Sequence, residues 1–180
     1  MSSTKTLPAR PLLRRSPLLP GESLPSLVAR LAIQNGYSSL SILERLFQAN
    51  YPVRRECLLQ EDELVHLTIL TGLPPKDLLM ASDIYFAQET FPLSYPGESS
   101  ASFINRIHPT RAAWYCPECL AEAAYHRLIW RPVSSAACLK HICQLVNSCP
   151  QCQRPVSIYD VVRLRCCHCC ADLRMPILSL

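Results

Sequence analysis

Apolar residues recur at Leu24, Leu27, Val28, Leu31 and Ala32, the i, i+3, i+4, i+7, i+8 spacing of one buried helix face. Ser23 stands where a cap is needed, Pro25 is tolerated in a first turn, and Asn35-Gly36 ends the pattern. A second helix is expected over 39–48, with Leu40, Leu43 and Phe47 on one face. A third is expected over 61–71, where acidic residues open the helix in keeping with its dipole and Gly72 closes it. A short fourth starts near Pro75 and runs through Leu79. The last two, separated by Gly72-Leu73-Pro74, have helix-turn-helix spacing. Residues 75–80 carry one base and one acid and no Arg, Asn or Gln to read base edges, so packing suits this pair better than major-groove reading.

The pattern breaks at both ends of this helical block. Residues 1–20 hold four prolines and no apolar period, and read as an extended basic arm. Residues 92–111 contain Pro92, Pro96, Gly97, a run of serines and Pro109, which places a linker at 96–113. The division is therefore an arm (1–20), a helical domain (21–95), the linker, and a C-terminal module (114–180).

That module holds ten of the eleven cysteines. Cys116 and Cys119, Cys138 and His141, Cys149 and Cys152, Cys166 and Cys169 form four consecutive pairs with the same two-residue gap. Zinc takes four thiolate or imidazole ligands in a tetrahedron, and two such turns close one site. Pairing in order gives one site of three cysteines and a histidine and one all-cysteine site, two zinc ions held in tandem ribbons. Interleaved pairing is the alternative geometry. Cys143, Cys167 and Cys170 are surplus; Cys167 and Cys170 have the same gap and compete for the second site, as does His168. Otherwise surplus thiols behave as small buried hydrophobes, and Cys57 is read as a core residue.

Composition narrows the function classes. Hydrophobic content of 49% and charged content of 18% fit a globular chain. No apolar run reaches the roughly 18 residues of a membrane span, and no secretory signal follows the basic N-terminus, so a cytoplasmic protein without membrane contact is expected. Glycine is scarce, and neither GxxxxGK[ST] nor GxGxxG occurs. Both ligand sets are complete, and there is no HExxH and no deaminase signature, so no catalytic residue is assigned and an enzyme is not expected. Residues 96–180 carry a net charge of +4 that two zinc ions on seven thiolates shift to about +1, so strong nonspecific nucleic-acid binding is not implied. Scattered bases at Arg127, Arg131, Lys140, Arg163, Arg165 and Arg174 are the candidates for touching a DNA or RNA backbone within an assembly.

Two blocks carry a family resemblance. Gly21-Glu22-Ser23-Leu24, then Ala29-Arg30-Leu31-Ala32 and Asn35, resembles the opening motif of the TniQ/TnsD family of transposition proteins. Trp114-Tyr115-Cys116-Pro117-Glu118-Cys119-Leu120-Ala121-Glu122, Arg127-Leu128-Ile129-Trp130-Arg131, Cys138-Leu139-Lys140-His141 and Cys149-Pro150-Gln151-Cys152 resemble its zinc region. The matches span about residues 19–175. The resemblance implies an α-helical N-terminal domain of helix-turn-helix character followed by tandem zinc ribbons. It implies an adaptor that bridges a target-recognition complex, its own DNA-binding region or a CRISPR effector with guide RNA, to an AAA+ ATPase that recruits the transposase. Leu27 stands where the family often has an aromatic, and Cys167 and Cys170 replace the usual proline and glycine of the fourth pair. The short chain resembles the members that work with CRISPR effectors. The other reading is a sequence-specific DNA-binding zinc protein, which needs a basic recognition surface.

Overall fold

The computed structural model describes residues 10–37, 61–83, 85, 112–132 and 134–175. The helix expected over 39–48, most of the linker and Cys57 lie outside these residues.

Among the described residues, three helices lie in the N-terminal half. Helix α1 spans Leu24–Gln34, α2 spans Glu61–Thr71 and α3 spans Pro75–Met80. Ser23 caps α1 by accepting from the Ser26 N–H, and Asn35 closes it. The expected face of α1, Leu24, Leu27, Val28, Leu31 and Ala32, packs with Leu67 and Leu70 of α2 and Leu78 of α3. The turn between α2 and α3 needs Gly72, whose φ of +72° is left-handed. The two helices pack together as a pair, which by itself carries no groove-reading function.

Residues 10–20 form no helix or strand and are tied down. Leu12 is buried in the helical core and its N–H donates to the Leu70 carbonyl. Neither α1 nor α2 has a base in its last turn. The arm supplies both: Arg14 donates to the Gln34 carbonyl, and the Arg15 guanidinium lies over Gly72, just past the end of α2. Cations at helix C-termini offset the negative end of the dipole, which gives part of the arm's positive charge a job inside the fold.

The C-terminal half contains α4 (Pro117–Glu122), a 3-10 turn (Leu128–Trp130), a two-stranded antiparallel hairpin of β1 (Ala137–Cys138) and β2 (Cys143–Gln144), and α5 (Ile158–Arg163). Its core gathers Tyr115, Leu120, Trp130, Leu145, Val156, Val161 and Leu173 around the ligand cysteines. α5 begins with a capping box between Ser157 and Asp160 and ends at Leu164 in the left-handed conformation.

The halves meet along a buried seam. α1 packs on α5 as well as on its own domain. Ser26 and Ala29, off the face expected from periodicity, are fully buried. Glu22 and Arg127 pair as an isolated antiparallel bridge, Ser23 N–H donates to the His126 carbonyl, and Leu128 N–H donates to the Gly21 carbonyl. His126 N–H donates to Ser26 Oγ at 2.9 Å, and its Nδ1 lies 3.0 Å from Ser23 Oγ. Tyr159 donates to the Tyr37 carbonyl, and Arg131 reaches across to Asp83 at 2.6 Å. The Glu22 carboxylate is buried beneath these contacts. It accepts from Ser26 Oγ, Leu19 N–H and the Nε and Nη2 of Arg30. Of the residues quoted for the opening motif, Gly21, Glu22 and Ser23 thus face the other half across the seam, and Arg30 holds the Glu22 carboxylate beneath it.

Candidate metal centres

Each candidate ligand pair sits on a tight turn. The first is the start of α4, where Cys116 caps the helix and its Sγ accepts the Cys119 N–H. The other three share one geometry. The residue after the second ligand, Ile142, Gln153 or Cys170, donates its N–H to the carbonyl of the first ligand, at 2.8, 3.0 and 2.9 Å respectively. Each of those residues has a φ between +52° and +59°, the conformation glycine adopts most cheaply, and none is glycine. Cys170 therefore occupies the turn position usually taken by glycine.

The turns bring together two groups of four: Cys116, Cys119, Cys138 and His141, and Cys149, Cys152, Cys166 and Cys169. Pairing is in order rather than interleaved. Cys166 and Cys169 converge on the second centre, while Cys167 and Cys170 are exposed, and His168 turns to Arg154 instead.

The separations test the fit to a metal. Zinc–sulfur bonds of about 2.3 Å and zinc–nitrogen bonds of about 2.05 Å in a tetrahedron imply sulfur–sulfur edges of about 3.8 Å and sulfur–nitrogen edges of about 3.6 Å. In the first centre His141 Nδ1 lies 3.4, 3.3 and 3.6 Å from the sulfurs of Cys116, Cys119 and Cys138, and Cys119 lies 3.6 Å from Cys138. In the second, Cys149 is 3.5 Å from Cys169 and Cys152 is 3.6 Å from Cys166. Disulfides need about 2.05 Å. The donor sets and the spacing fit zinc.

The environment prepares one thiol in each centre. Burial opposes ionisation of Cys138, but the His141 backbone N–H, its imidazole, the Cys119 thiol and the Lys140 N–H outweigh it and bring the group down to about 7. Burial likewise opposes ionisation of Cys149, and the Cys152 and Gln151 N–H groups bring it down to about 7. Burial and the neighbouring Cys138 hold Cys119 well above the ordinary range. Without a cation, one thiolate forms and its neighbours resist; a divalent ion removes that resistance, so binding releases protons.

Sequence reasoning missed the support for His141. Its Nε2 lies 3.1 Å from Glu122 Oε1, and Lys140 also pairs with Glu122. With Nδ1 facing the sulfurs, Nε2–H donates to the carboxylate, an arrangement that fixes a ligating imidazole. The nearest signal was helical: Glu122 is three residues beyond Cys119 on the same short helix.

The six candidate nucleic-acid residues part company. Arg131 is buried on Asp83, with 4% of its side chain exposed, and has no surface to offer a phosphate; it leaves the candidate set. Arg127 is mostly covered, stacked over Tyr125 and Trp130 at 4.8 and 5.0 Å. Lys140 is exposed beside Glu122, and Arg174 is exposed and paired with Asp172. Arg163, over the Tyr159 ring, and Arg165 are exposed on the second ribbon. Among the described residues, no helix is long and apolar enough to cross a membrane.

No curated protein matches the chain. A family model, TniQ, matches residues 13–145, which takes in residues 13–20 of the arm, the helical half and the first metal centre but stops short of the second. The match covers well over half of the sequence, and the chain belongs to the TniQ family.

Proposed function

We propose that this chain is a non-catalytic target-selection adaptor in DNA transposition, joining a target-recognition complex to an AAA+ ATPase that recruits the transposase. The family match over residues 13–145 carries this reading, because a transposition-associated adaptor role is what the family implies. Two zinc ions would be structural, held by Cys116, Cys119, Cys138 and His141 and by Cys149, Cys152, Cys166 and Cys169. Full protein ligation leaves no open position for substrate, which supports scaffolding over chemistry.

The target-recognition partner in this reading is an RNA-guided CRISPR effector, with Arg163, Arg165, Lys140 and Arg174 offering backbone contacts to RNA or DNA in the assembly. The ATPase contact is proposed at the basic arm. Deleting the arm would also remove Leu12 from the core, at a cost of about 1.5–3 kcal/mol, so charge reversal is the cleaner probe. Arg14 and Arg15 already close helix ends, which points to Lys5 and Arg10. Lys5→Glu/Arg10→Glu should weaken ATPase capture while leaving the folded protein intact.

The decisive measurement is reconstitution with an AAA+ transposition ATPase and a target-recognition complex from the same source. Failure of the full-length protein to bind either one ends the adaptor reading. Tight, sequence-specific duplex binding by the isolated protein at physiological salt would instead favour a DNA-reading zinc protein. The six residues of α3, with Lys76 as their one base, speak against that outcome.

A further inference from the structure

The first metal centre contains a donor that its four-ligand set does not use. Cys143 Sγ lies 3.5 Å from Cys116 Sγ, close to one tetrahedral edge. It stands on β2 directly opposite the ligand Cys138 on β1 and packs, half-buried, against the module's core. Other surplus thiols are placed differently: Cys167 and Cys170 are exposed. The knuckle between Cys138 and Cys143 carries Leu139 and Ile142, which are 83% and 93% exposed, so His141 sits on an outward-facing turn of the centre. The three cysteines it faces are buried.

We propose that Cys143 is a reserve ligand of the first centre, able to take the coordination position of His141 and convert a site of three cysteines and a histidine into an all-cysteine site. In that exchange the bond to His141 Nδ1 breaks and a bond to Cys143 Sγ forms. The Cys143 thiol proton passes to the departing imidazole, and the resulting imidazolium stays paired with Glu122, 3.1 Å from Nε2. The three cysteine ligands do not move partner, so the outer turn at 139–142 is free to change shape without loss of the ion. The exposed Leu139 and Ile142 at its tip make that turn a natural point of contact for an approaching protein.

This inference rests on the zinc reading above, and the experiment separates the two. Metal content and cobalt(II) spectra are measured on full-length wild type, Cys143→Ser, His141→Ala, His141→Gln and the Cys143→Ser/His141→Ala double variant. Wild type and Cys143→Ser should each hold two equivalents. The His141 variants should also hold two, with the sulfur-to-cobalt charge-transfer band enlarged by one thiolate's worth. The double variant should fall to one equivalent. A wild type that binds fewer than two ions sinks both readings. If wild type binds two and both His141 variants bind one, or fail to fold for want of the ion, the reserve ligand alone is overturned. It is overturned equally if the His141 variants keep two ions with an unenlarged band, because water would then have filled the position.

Discussion

Replacing Glu22 by Ala removes a carboxylate buried under the seam. Four donors lose their acceptor: Ser26 Oγ, Leu19 N–H, and Nε and Nη2 of Arg30. Ser26 retains its bond from His126, and Arg30 keeps the Pro17 carbonyl and 13% of its side-chain surface in water. Breaking a buried ion pair typically costs about 3–5 kcal/mol, and Arg30's residual access to solvent places this one near the lower end, at about 3 kcal/mol. In urea, with a slope of about 2 kcal/mol per molar, the unfolding midpoint should fall by about 1.5 M. Adding Arg30→Ala should cost less than the sum of the single changes, since it removes the stranded cation; the expected coupling is about 1–3 kcal/mol. Zinc content should not change, because no ligand is touched. A loss under about 1 kcal/mol in the single variant, or strict additivity in the double, would refute the claim that Glu22 and Arg30 act as a buried pair beneath the seam.

Cys116→Ser and Cys149→Ser should each lose one zinc equivalent and unfold the corresponding ribbon, since structural zinc supplies on the order of 10 kcal/mol of folding free energy; metal analysis with circular dichroism checks this. Gln153→Gly relieves a left-handed residue and should stabilise the zinc-loaded protein by about 1 kcal/mol, read as a raised midpoint; a lowered midpoint would contradict the turn geometry. Burial, then the nearby Arg131 charge, push His126 down from 6.5 to about 3. Its neutral form is the folded one, so its contribution is complete above pH 6.5 and is lost as pH falls towards 3, at about 1.4 kcal/mol per pH unit. Comparing wild type with His126→Asn between pH 7 and 5 isolates that slope, because acid release of zinc is common to both; equal slopes would rule the effect out.

What the sequence reveals depends on how local its cause is. The bounds of α1 and α2 follow from Ser23, Asn35 and Gly72, residues that act on adjacent backbone, and they are legible. The eight candidate ligands are legible because a two-residue gap is itself the geometry of the turn. α5 is not foreseen, although Ser157 and Asp160 carry the spacing of its capping box. The second buried face of α1 cannot be read from periodicity, since Ser26 and Ala29 are small and weakly apolar and owe their burial to a partner about 100 residues away. For the same reason the seam does not appear in a division drawn at 96–113, and Arg131 reads as surface. The Glu22 motif is readable as a family mark, but not as the carboxylate that Arg30 and Ser26 need.

The seam also sets how force and distance pass through the molecule. Among the described residues, the two halves are joined by the cluster of Glu22, Ser23, Ser26, His126 and the Asp83–Arg131 pair. Two partners docked on opposite halves would therefore be held at one separation and one rotation, as on a gauge block rather than a tether. Loosening the seam should blur that spacing. Under the adaptor role proposed above, such blurring would be read as scatter in the insertion position before it was read as loss of binding.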